Sequence, residues 1–309
     1  MSGTRLTFLG TGTSQGVPII GCRCPVCQSR DPRDKRFRSS VYVEYGGMKI
    51  LVDAGPDFRS QMLRAGLSDL DAILLTHNHK DHTGGLDDVR SLNYICRKAV
   101  EIYCEERVLE TLREEYAYAF TLPKYPGAPE WHVNLIDEQP FILYQNHPDG
   151  ELTWVHDKGY FFRRSDGTLS PTSDRIVETA DHQADPTRKS VVITPIRGWH
   201  GPMPVLGFRF GKIAYITDMN RIDEAELAKL EGLEHLTLNT VGYHPHHSHF
   251  SLHEAAALAE RIGAKHTWLT HLSHAFPQYD AFCGQLKKDY PCKRTDLRPA
   301  YDGLTLTAD

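Results

Sequence analysis

The sequence predicts an α/β protein arranged as a four-layer αββα sandwich. Two observations lead there. Short apolar, strand-like runs dominate both halves of the 309-residue chain, and segments of helical spacing are interleaved among them. Two similar β-rich halves with helices outside them account for the pattern. No period of roughly 20–50 residues repeats locally, so the chain is not read as a repeat architecture. Residues 1–309 are expected to form a single domain, with an insertion at about 145–188.

Taken in order, Leu6-Thr7-Phe8-Leu9 reads as a strand followed by the glycine-rich turn Gly10-Thr11-Gly12-Thr13-Ser14-Gln15-Gly16. Ser40 to Glu44 and Lys49 to Val52 form a hairpin pattern around Gly46-Gly47. Pro56 to Ala65 can form a helix, Ala72 to Leu75 a buried strand, Leu86 to Cys96 a helix, and Ile102-Tyr103 a short strand. Glu105 to Phe120 has helical periodicity, with Val108, Leu109, Leu112, Tyr116 and Ala119 on one side. Strands are expected at Val133 to Ile136, Phe141 to Tyr144, Val191 to Ile196, Val205 to Phe210 and Lys212 to Thr217. A helix near Asp223 to Leu230 precedes a strand at Leu236 to Leu238. Ser251-Leu252-His253-Glu254 is a capping-box pattern that opens a helix through Arg261. A strand at Thr267 to Thr270, a helix at Tyr279 to Lys288 and a closing strand at Leu304 to Thr307 complete the series. The 145–188 insertion is rich in polar residues and proline, and its pattern suggests one hairpin, Leu152 to Val155 with Tyr160 to Arg163. His147, His156 and His182 fall within it and are not assigned to metal.

An apolar fraction of 40% and a charged fraction of 24% fit an ordinary globular protein. The net charge of −5 argues against a dedicated nucleic-acid binder, because phosphate neutralisation needs a basic surface. No apolar run is long enough to span a membrane, and the N-terminus lacks the apolar core of a signal peptide. A cytoplasmic location is expected. The 7 cysteines are odd in number and unevenly spaced, unlike a disulfide framework.

The most informative stretch is Thr76-His77-Asn78-His79-Lys80-Asp81-His82, directly after the apolar run Ala72-Ile73-Leu74-Leu75. Neutral imidazoles and a carboxylate on a loop at a strand end suit zinc, manganese or iron. His77 and His79 are two apart in extended chain and point to one side. Asp81 and His82 sit where the chain turns into a helix, and Gly84-Gly85 lets backbone pass close by. The H-x-H-x-D-H pattern resembles the signature loop of the metallo-β-lactamase superfamily. That resemblance implies two metal sites and further ligands after later strands. The chain supplies His200 after Val192 to Ile196, Asp218 after Ile213 to Thr217, and His271 after Trp268-Leu269-Thr270. The implied assignment is His77, His79 and His200 at one metal, Asp81, His82 and His271 at the other, and Asp218 bridging. Such metals would lie roughly 3.5–4 Å apart and hold a hydroxide. Asp53, at the end of Lys49 to Val52, is expected to orient a metal histidine or the loop.

Gly21-Cys22-Arg23-Cys24-Pro25-Val26-Cys27 places three thiolates close together, a spacing that suggests a structural zinc on Cys22, Cys24 and Cys27. The fourth ligand must come from elsewhere, and Thr270-His271-Leu272-Ser273-His274 offers His274. Together with Gly10 to Pro18, the cysteine cluster, the histidine loop and Thr270 to His274 resemble the PhnP-type cyclic phosphodiesterases of phosphonate utilisation. The likeness spans nearly the whole chain outside 145–188. It implies a metal-dependent phosphoric diester hydrolase acting on a small or cyclic phosphodiester through a dinuclear metal-bound hydroxide. Two catalytic divalent metals, zinc or manganese, and one structural zinc are implied, and a homodimer by the family alone. A second histidine-rich loop, Tyr243-His244-Pro245-His246-His247-Ser248-His249, precedes a helix. The resemblance makes His249 the general acid or phosphate-binding residue, with His244, His246 and His247 as competitors. Asp81 and His249 are the candidate catalytic residues. Two other readings stand beside this one. A tRNA 3′-end processing endonuclease of the same superfamily would need a gripping arm, and the insertion, although it holds Arg163, Arg164 and Arg175, is not markedly basic. The cysteine cluster also resembles the non-catalytic pyrroloquinoline quinone biosynthesis B proteins, which have lost much of the histidine loop that this chain keeps.

Overall fold

The computed structural model describes residues 3–121, 127–145, 151–155, 159–163, 167–171, 176–177 and 189–309. The chain divides into two compact units, Met48–Val192 and Met1–Gly47 with Ile193–Asp309.

The unit Met48–Val192 is built on parallel strands. Met48–Val52 pairs with Ala72–Leu74, that with Val100–Cys104, and that with Trp131–Leu135, beside which lies Ile176–Val177. Ile50, Leu51, Val52, Ile73, Leu74 and Ile102 are buried, as expected of parallel strands covered on both faces. Helices Phe58–Ala65, Arg90–Cys96 and Glu106–Glu115 connect the strands. Loops leaving the carboxyl ends of Met48–Val52 and Ala72–Leu74 carry Asp53 and the histidine loop, which is where open α/β sheets bind ligands.

Two helices of this unit differ from expectation. Leu86 to Cys96 begins as a 3-10 turn, Leu86–Val89, before becoming α-helical. Glu105 to Phe120 breaks into Glu106–Glu115 and Ala117–Phe120 at Tyr116, whose φ of −118° and ψ of 38° leave the helical region. Tertiary contacts hold Tyr116 there: its hydroxyl donates to the Thr83 carbonyl at 2.9 Å, and its ring meets Trp131 edge-on at 5.3 Å. In the insertion, Glu151–Val155 and Gly159–Arg163 pair antiparallel, as the expected hairpin does, and Leu169–Pro171 adds a third strand. His147, His156 and His182 lie outside the described residues.

In the other unit, Thr4–Gly10 lies between Ser40–Tyr45 and Thr305–Ala308, antiparallel to both. A second sheet runs in the order Arg221–Ile222, Ser190–His200, Met203–Phe210, Ile213–Tyr215, His235–Asn239, His266–Thr270, Asp296–Pro299. It is antiparallel up to Ile213–Tyr215 and parallel beyond. The edge strands Arg221–Ile222 and Asp296–Pro299 were not anticipated: the first is two residues long, and the second alternates around an arginine and ends in proline. Ser251 caps Leu252–Ile262 with the full reciprocal box to Glu254, and Gly263, at φ 70°, ends the helix. That helix buries Leu252, Ala255, Ala256 and Ala259 in a cluster with Leu236, Leu238 and Leu269. Each buried leucine contributes about 1.5–3 kcal/mol of transfer free energy.

Candidate metal centre

The histidine loop is shaped by close backbone packing. Residues Lys80–Thr83 form a single helical turn with His79 at its N-cap. Ala54 N–H donates to the His82 carbonyl at 2.8 Å, and Gly85 N–H to the Ala54 carbonyl at 2.8 Å. A β-carbon on Gly55 would lie 2.0 Å from the Asp81 carbonyl oxygen, and one on Gly85 would lie 2.1 Å from that of Gly55. Only glycine permits this approach.

A single buried carboxylate organises the imidazoles of this loop. Asp53 accepts from His82 Nδ1 at 2.7 Å and from Thr76 Oγ1 at 2.9 Å, and the Thr76 hydroxyl in turn lies 2.9 Å from His77 Nδ1. Because the Thr76 proton goes to Asp53, its oxygen receives His77 Nδ1–H. Both imidazoles are thereby held as Nδ1–H tautomers with Nε2 as the electron-pair donor, the arrangement that outer partners impose on metal-binding histidines. Burial raises the Asp53 pKa, opposed by His82 and Thr76. On the other side of the ring, His82 Nε2 faces Asp81 Oδ2 at 3.3 Å. A lone pair and a carboxylate oxygen meeting in this way fit a shared cation. The rings of His79 and His82 lie 4.7 Å and 4.2 Å from that of His77.

The other unit assembles His200, Asp218, His249 and His271 from four separate segments. His200 ends its strand and donates Nδ1–H to the Asp218 carbonyl at 3.0 Å, which leaves Nε2 as its donor atom. Asp218 Oδ2 accepts from Thr217 Oγ1 at 2.7 Å and lies 3.2 Å from His271 Nδ1, while its Oδ1 lies 3.6 Å from His249 Nδ1. The His249 ring is 4.6 Å from that of His200 and 4.7 Å from that of His271. His200, Asp218 and His249 each offer a ligand atom within 4.8 Å of the others. This set, with Asp218 and His249 buried and His200 half-buried, has the donor chemistry of a zinc or manganese site. Burial, reinforced by His271, lowers the His249 pKa to about 3. Burial and the neighbouring imidazoles thus favour the neutral ring, and the Asp218 carboxylate opposes them.

Backbone strain marks the same places. Asp53, Asp218 and His271 adopt φ of 63°, 56° and 56°; Arg97 is the remaining non-glycine residue with positive φ among those described. Such conformations cost roughly 1–3 kcal/mol each and persist where the surroundings over-determine them, most often at functional sites.

The cysteine cluster is a separate donor set. Cys22, Cys24 and Cys27 place Sγ 3.2, 3.5 and 3.6 Å from His274 Nδ1. Tetrahedral zinc with Zn–S of about 2.3 Å and Zn–N of about 2.0–2.1 Å puts sulfur and nitrogen roughly 3.6 Å apart. One imidazole proton cannot satisfy three sulfurs, whereas one cation can. Cys27 N–H donates to Cys24 Sγ at 3.4 Å and brings that thiol down to about 6, while burial pushes Cys27 up to about 11. Cys96, Cys104, Cys283 and Cys292 take no part in any such cluster among the described residues.

Two residues near these donors escaped the reading of the sequence. Thr76 adjoins His77 and shows only as a polar end to an apolar run. Ser39, buried, has its hydroxyl 3.2 Å from His271 Nδ1 and 3.0 Å from the Gly12 carbonyl, and nothing local in the sequence marks it.

A family model described as beta-lactamase superfamily domain matches residues 48–155 and 148–272. The chain belongs to the beta-lactamase superfamily. An octanoyltransferase of Porphyromonas gingivalis is 33% identical over 307 residues, 99% of this chain but 52% of that protein, so the chain spans about half the length of this relative. A ribonuclease Z of Streptomyces avermitilis is 28% identical over 272 residues, covering 82% of this chain and 87% of that protein. A crystal structure described as a new diphosphatase from the PhnP family matches with a TM-score of 0.74 and 33% identity, covering 99% of this chain and 98% of that one. Within the superfamily the chain is similar to the PhnP family, and its mixed sheets with interleaved helices fit the α/β class that its sequence predicts.

Proposed function

We propose that this superfamily member is a metal-dependent phosphoric diester hydrolase acting on a small or cyclic phosphodiester. The observation that carries the reading is the 33% identity, over 99% of the chain, to a PhnP-family diphosphatase, joined to histidine donors, His77, His82 and His200, whose tautomers are already set. The reading assigns His77, His79 and His200 to one divalent metal, Asp81, His82 and His271 to a second, and Asp218 to both, as the family resemblance implies. Bound zinc or manganese would polarise the phosphoryl group and acidify a water molecule. Asp53 and Thr76 keep the His77 and His82 lone pairs directed outward. His249 hydrogen-bonds a phosphoryl oxygen, takes up a proton as the anion raises its pKa, and delivers it to the departing oxygen. Asp81 serves the reacting centre as a ligand. Cys22, Cys24, Cys27 and His274 would hold a structural zinc, tying the N-terminal loop to a histidine three residues from His271. In the same reading residues 1–309 act as one domain, cytoplasmic and homodimeric; no helix among the described residues is long and apolar enough to cross a membrane.

A diphosphate substrate is the second reading, favoured by the description of the PhnP-family relative as a diphosphatase. Cleavage of P–O–P and of P–O–C makes the same demands on the donors and differs in the leaving group. The net charge of −5 speaks against tRNA, although a ribonuclease Z is among the relatives, and the complete histidine loop speaks against a non-catalytic carrier. The test is turnover by manganese- or zinc-loaded protein of bis(p-nitrophenyl) phosphate, cyclic phosphates, inorganic diphosphate and a tRNA precursor. Phosphodiester hydrolysis that disappears in folded His79→Ala supports the proposal. Cleavage of diphosphate or tRNA alone replaces it with the corresponding alternative, and no turnover of any substrate overturns it.

A further inference from the structure

The segment Asp218-Met219-Asn220 meets the loops that carry His200 and His249, and two asparagines, Asn220 and Asn239, bond it there with amides turned to main-chain groups. Asp218 is in the left-handed region, at φ 56°, and an L-residue stays there only when its neighbours hold it. The holding begins at the next residue. Met219 N–H donates to Asn239 Oδ1 at 2.9 Å, and Asn239 Nδ2 donates to the Met219 carbonyl at 2.9 Å. One side-chain amide thus closes both main-chain groups of one residue, and Asn239 is fully buried, at 0% exposure. The Met219 carbonyl also accepts from Phe250 N–H at 2.9 Å, directly after His249. The Met219 side chain seats on Gly198, where a β-carbon would lie 2.0 Å from its sulfur.

Asn220 reaches two more segments. Its N–H donates to the Trp199 carbonyl at 2.8 Å, its Oδ1 accepts from Gly201 N–H at 3.0 Å, and its Nδ2 donates to the His247 carbonyl at 3.0 Å. Trp199 and Gly201 flank His200, and His247 is two residues from His249. Gly201, at φ 62°, makes the turn that ends the His200 strand, and Asn220 closes that turn. The partners also fix the orientation of each amide: an N–H must face oxygen and a carbonyl must face NH2.

We propose that Asn220 and Asn239 are positioning residues of the metal centre. Asn239 holds Met219, and through it the Asp218 carboxylate, while Asn220 couples the His200 turn to the His247–His249 segment. Without them the three ligand-bearing segments keep their strands but lose their common register. Outer partners of this kind typically change metal affinity roughly 10–100-fold.

The inference rests on His200 and Asp218 acting at a metal with His249 beside them, and not on which ester is cleaved. Its test is therefore cobalt binding, followed by the visible spectrum and by competition with a chelating dye, alongside the thermal midpoint. Full-length Asn220→Ala should keep its midpoint within a few degrees, bind cobalt at the imidazole-and-carboxylate centre roughly 10–100-fold more weakly, and keep its cysteine-bound zinc. Asn239→Ser should show the same loss. Wild-type affinity with an unchanged cobalt spectrum in folded Asn220→Ala overturns the proposal, as does a lowered midpoint with unchanged affinity. Should Asn220→Ala not fold, Asn220→Ser takes the same readouts with the same outcomes. Loss of affinity without any phosphodiester turnover in the parent protein leaves this inference standing and removes only the proposed substrate.

Discussion

The two compact units gather candidate metal-binding side chains in opposite ways. In Met48–Val192 the donors are neighbours in sequence, from His77 to His82, and one buried carboxylate, Asp53, sets the tautomers of His77 and His82. In the other unit His200, Asp218, His249 and His271 come from four segments, and hydrogen bonds through Met219 and the side-chain amides of Asn220 and Asn239 hold three of them in register. The first design depends on local chain geometry and a single partner below it. The second depends on the sheet that delivers the segments, so it is sensitive to changes far from any donor atom. The cysteine cluster is a third case, a local trio completed by one distant histidine, and its soft donors suit structural zinc.

The strongest way to break the contrast is to remove a donor from the dispersed set. Asp218→Ala should lose catalytic metal and lower phosphodiester turnover by more than the roughly 100-fold that outer partners account for. Metal analysis together with kcat/KM checks this, and full metal content in the variant would refute the assignment of Asp218. Asp53→Ala touches no metal yet should weaken metal binding roughly 10–100-fold, because His77 and His82 lose their tautomer control together. Thr76→Val should have a smaller effect of the same kind, since it cuts only the link to His77. An equal or larger loss in Thr76→Val would show that Asp53 is not the common anchor.

Cys24→Ser should release one zinc on colorimetric assay and lower the thermal midpoint, because the binding free energy of a structural zinc is folding free energy. Cobalt affinity at the imidazole-and-carboxylate centre should change less than it does in Asp53→Ala. The smallest expected effect is a pH dependence remote from both donor sets. Burial lowers the His235 pKa, its Nε2–H donates to the Thr307 carbonyl at 3.1 Å, and its Nδ1 accepts from Trp268 at 3.2 Å. The unfolded chain therefore takes up this proton first as pH falls. The stability due to His235 is present above its ordinary value of about 6.5 and declines below it, toward the lower folded value. His235→Leu should flatten the slope of thermal midpoint against pH in that window, and an unchanged slope would discard the point.

The features legible in the sequence are those written within a few residues of one another. The loop His77 to His82, the trio Cys22, Cys24 and Cys27, and the capping box of Ser251 and Glu254 need only local spacing to declare their chemistry. The parallel strands around Ile50, Ile73 and Ile102 were legible as apolar runs because both of their faces are buried. Tyr116 shows the limit. Its spacing continues a helix, yet contacts with Thr83 and Trp131 take it out of the helical region. Ser39, Asn220 and Asn239 show another limit: each acts on residues distant along the chain, through single hydrogen bonds that no periodicity records.

What the sequence by itself determined is the kind of donor present, the α/β class, and the likeness that names the superfamily, because residue type and short-range spacing are enough for each. The tertiary structure alone decided which donors meet. It brought His249 to Asp218 and His200, put one carboxylate behind two imidazoles, and held Asp218 and His271 in left-handed backbone. The physical reason is that donor chemistry belongs to a side chain, whereas position belongs to packing and hydrogen bonds made across long stretches of chain.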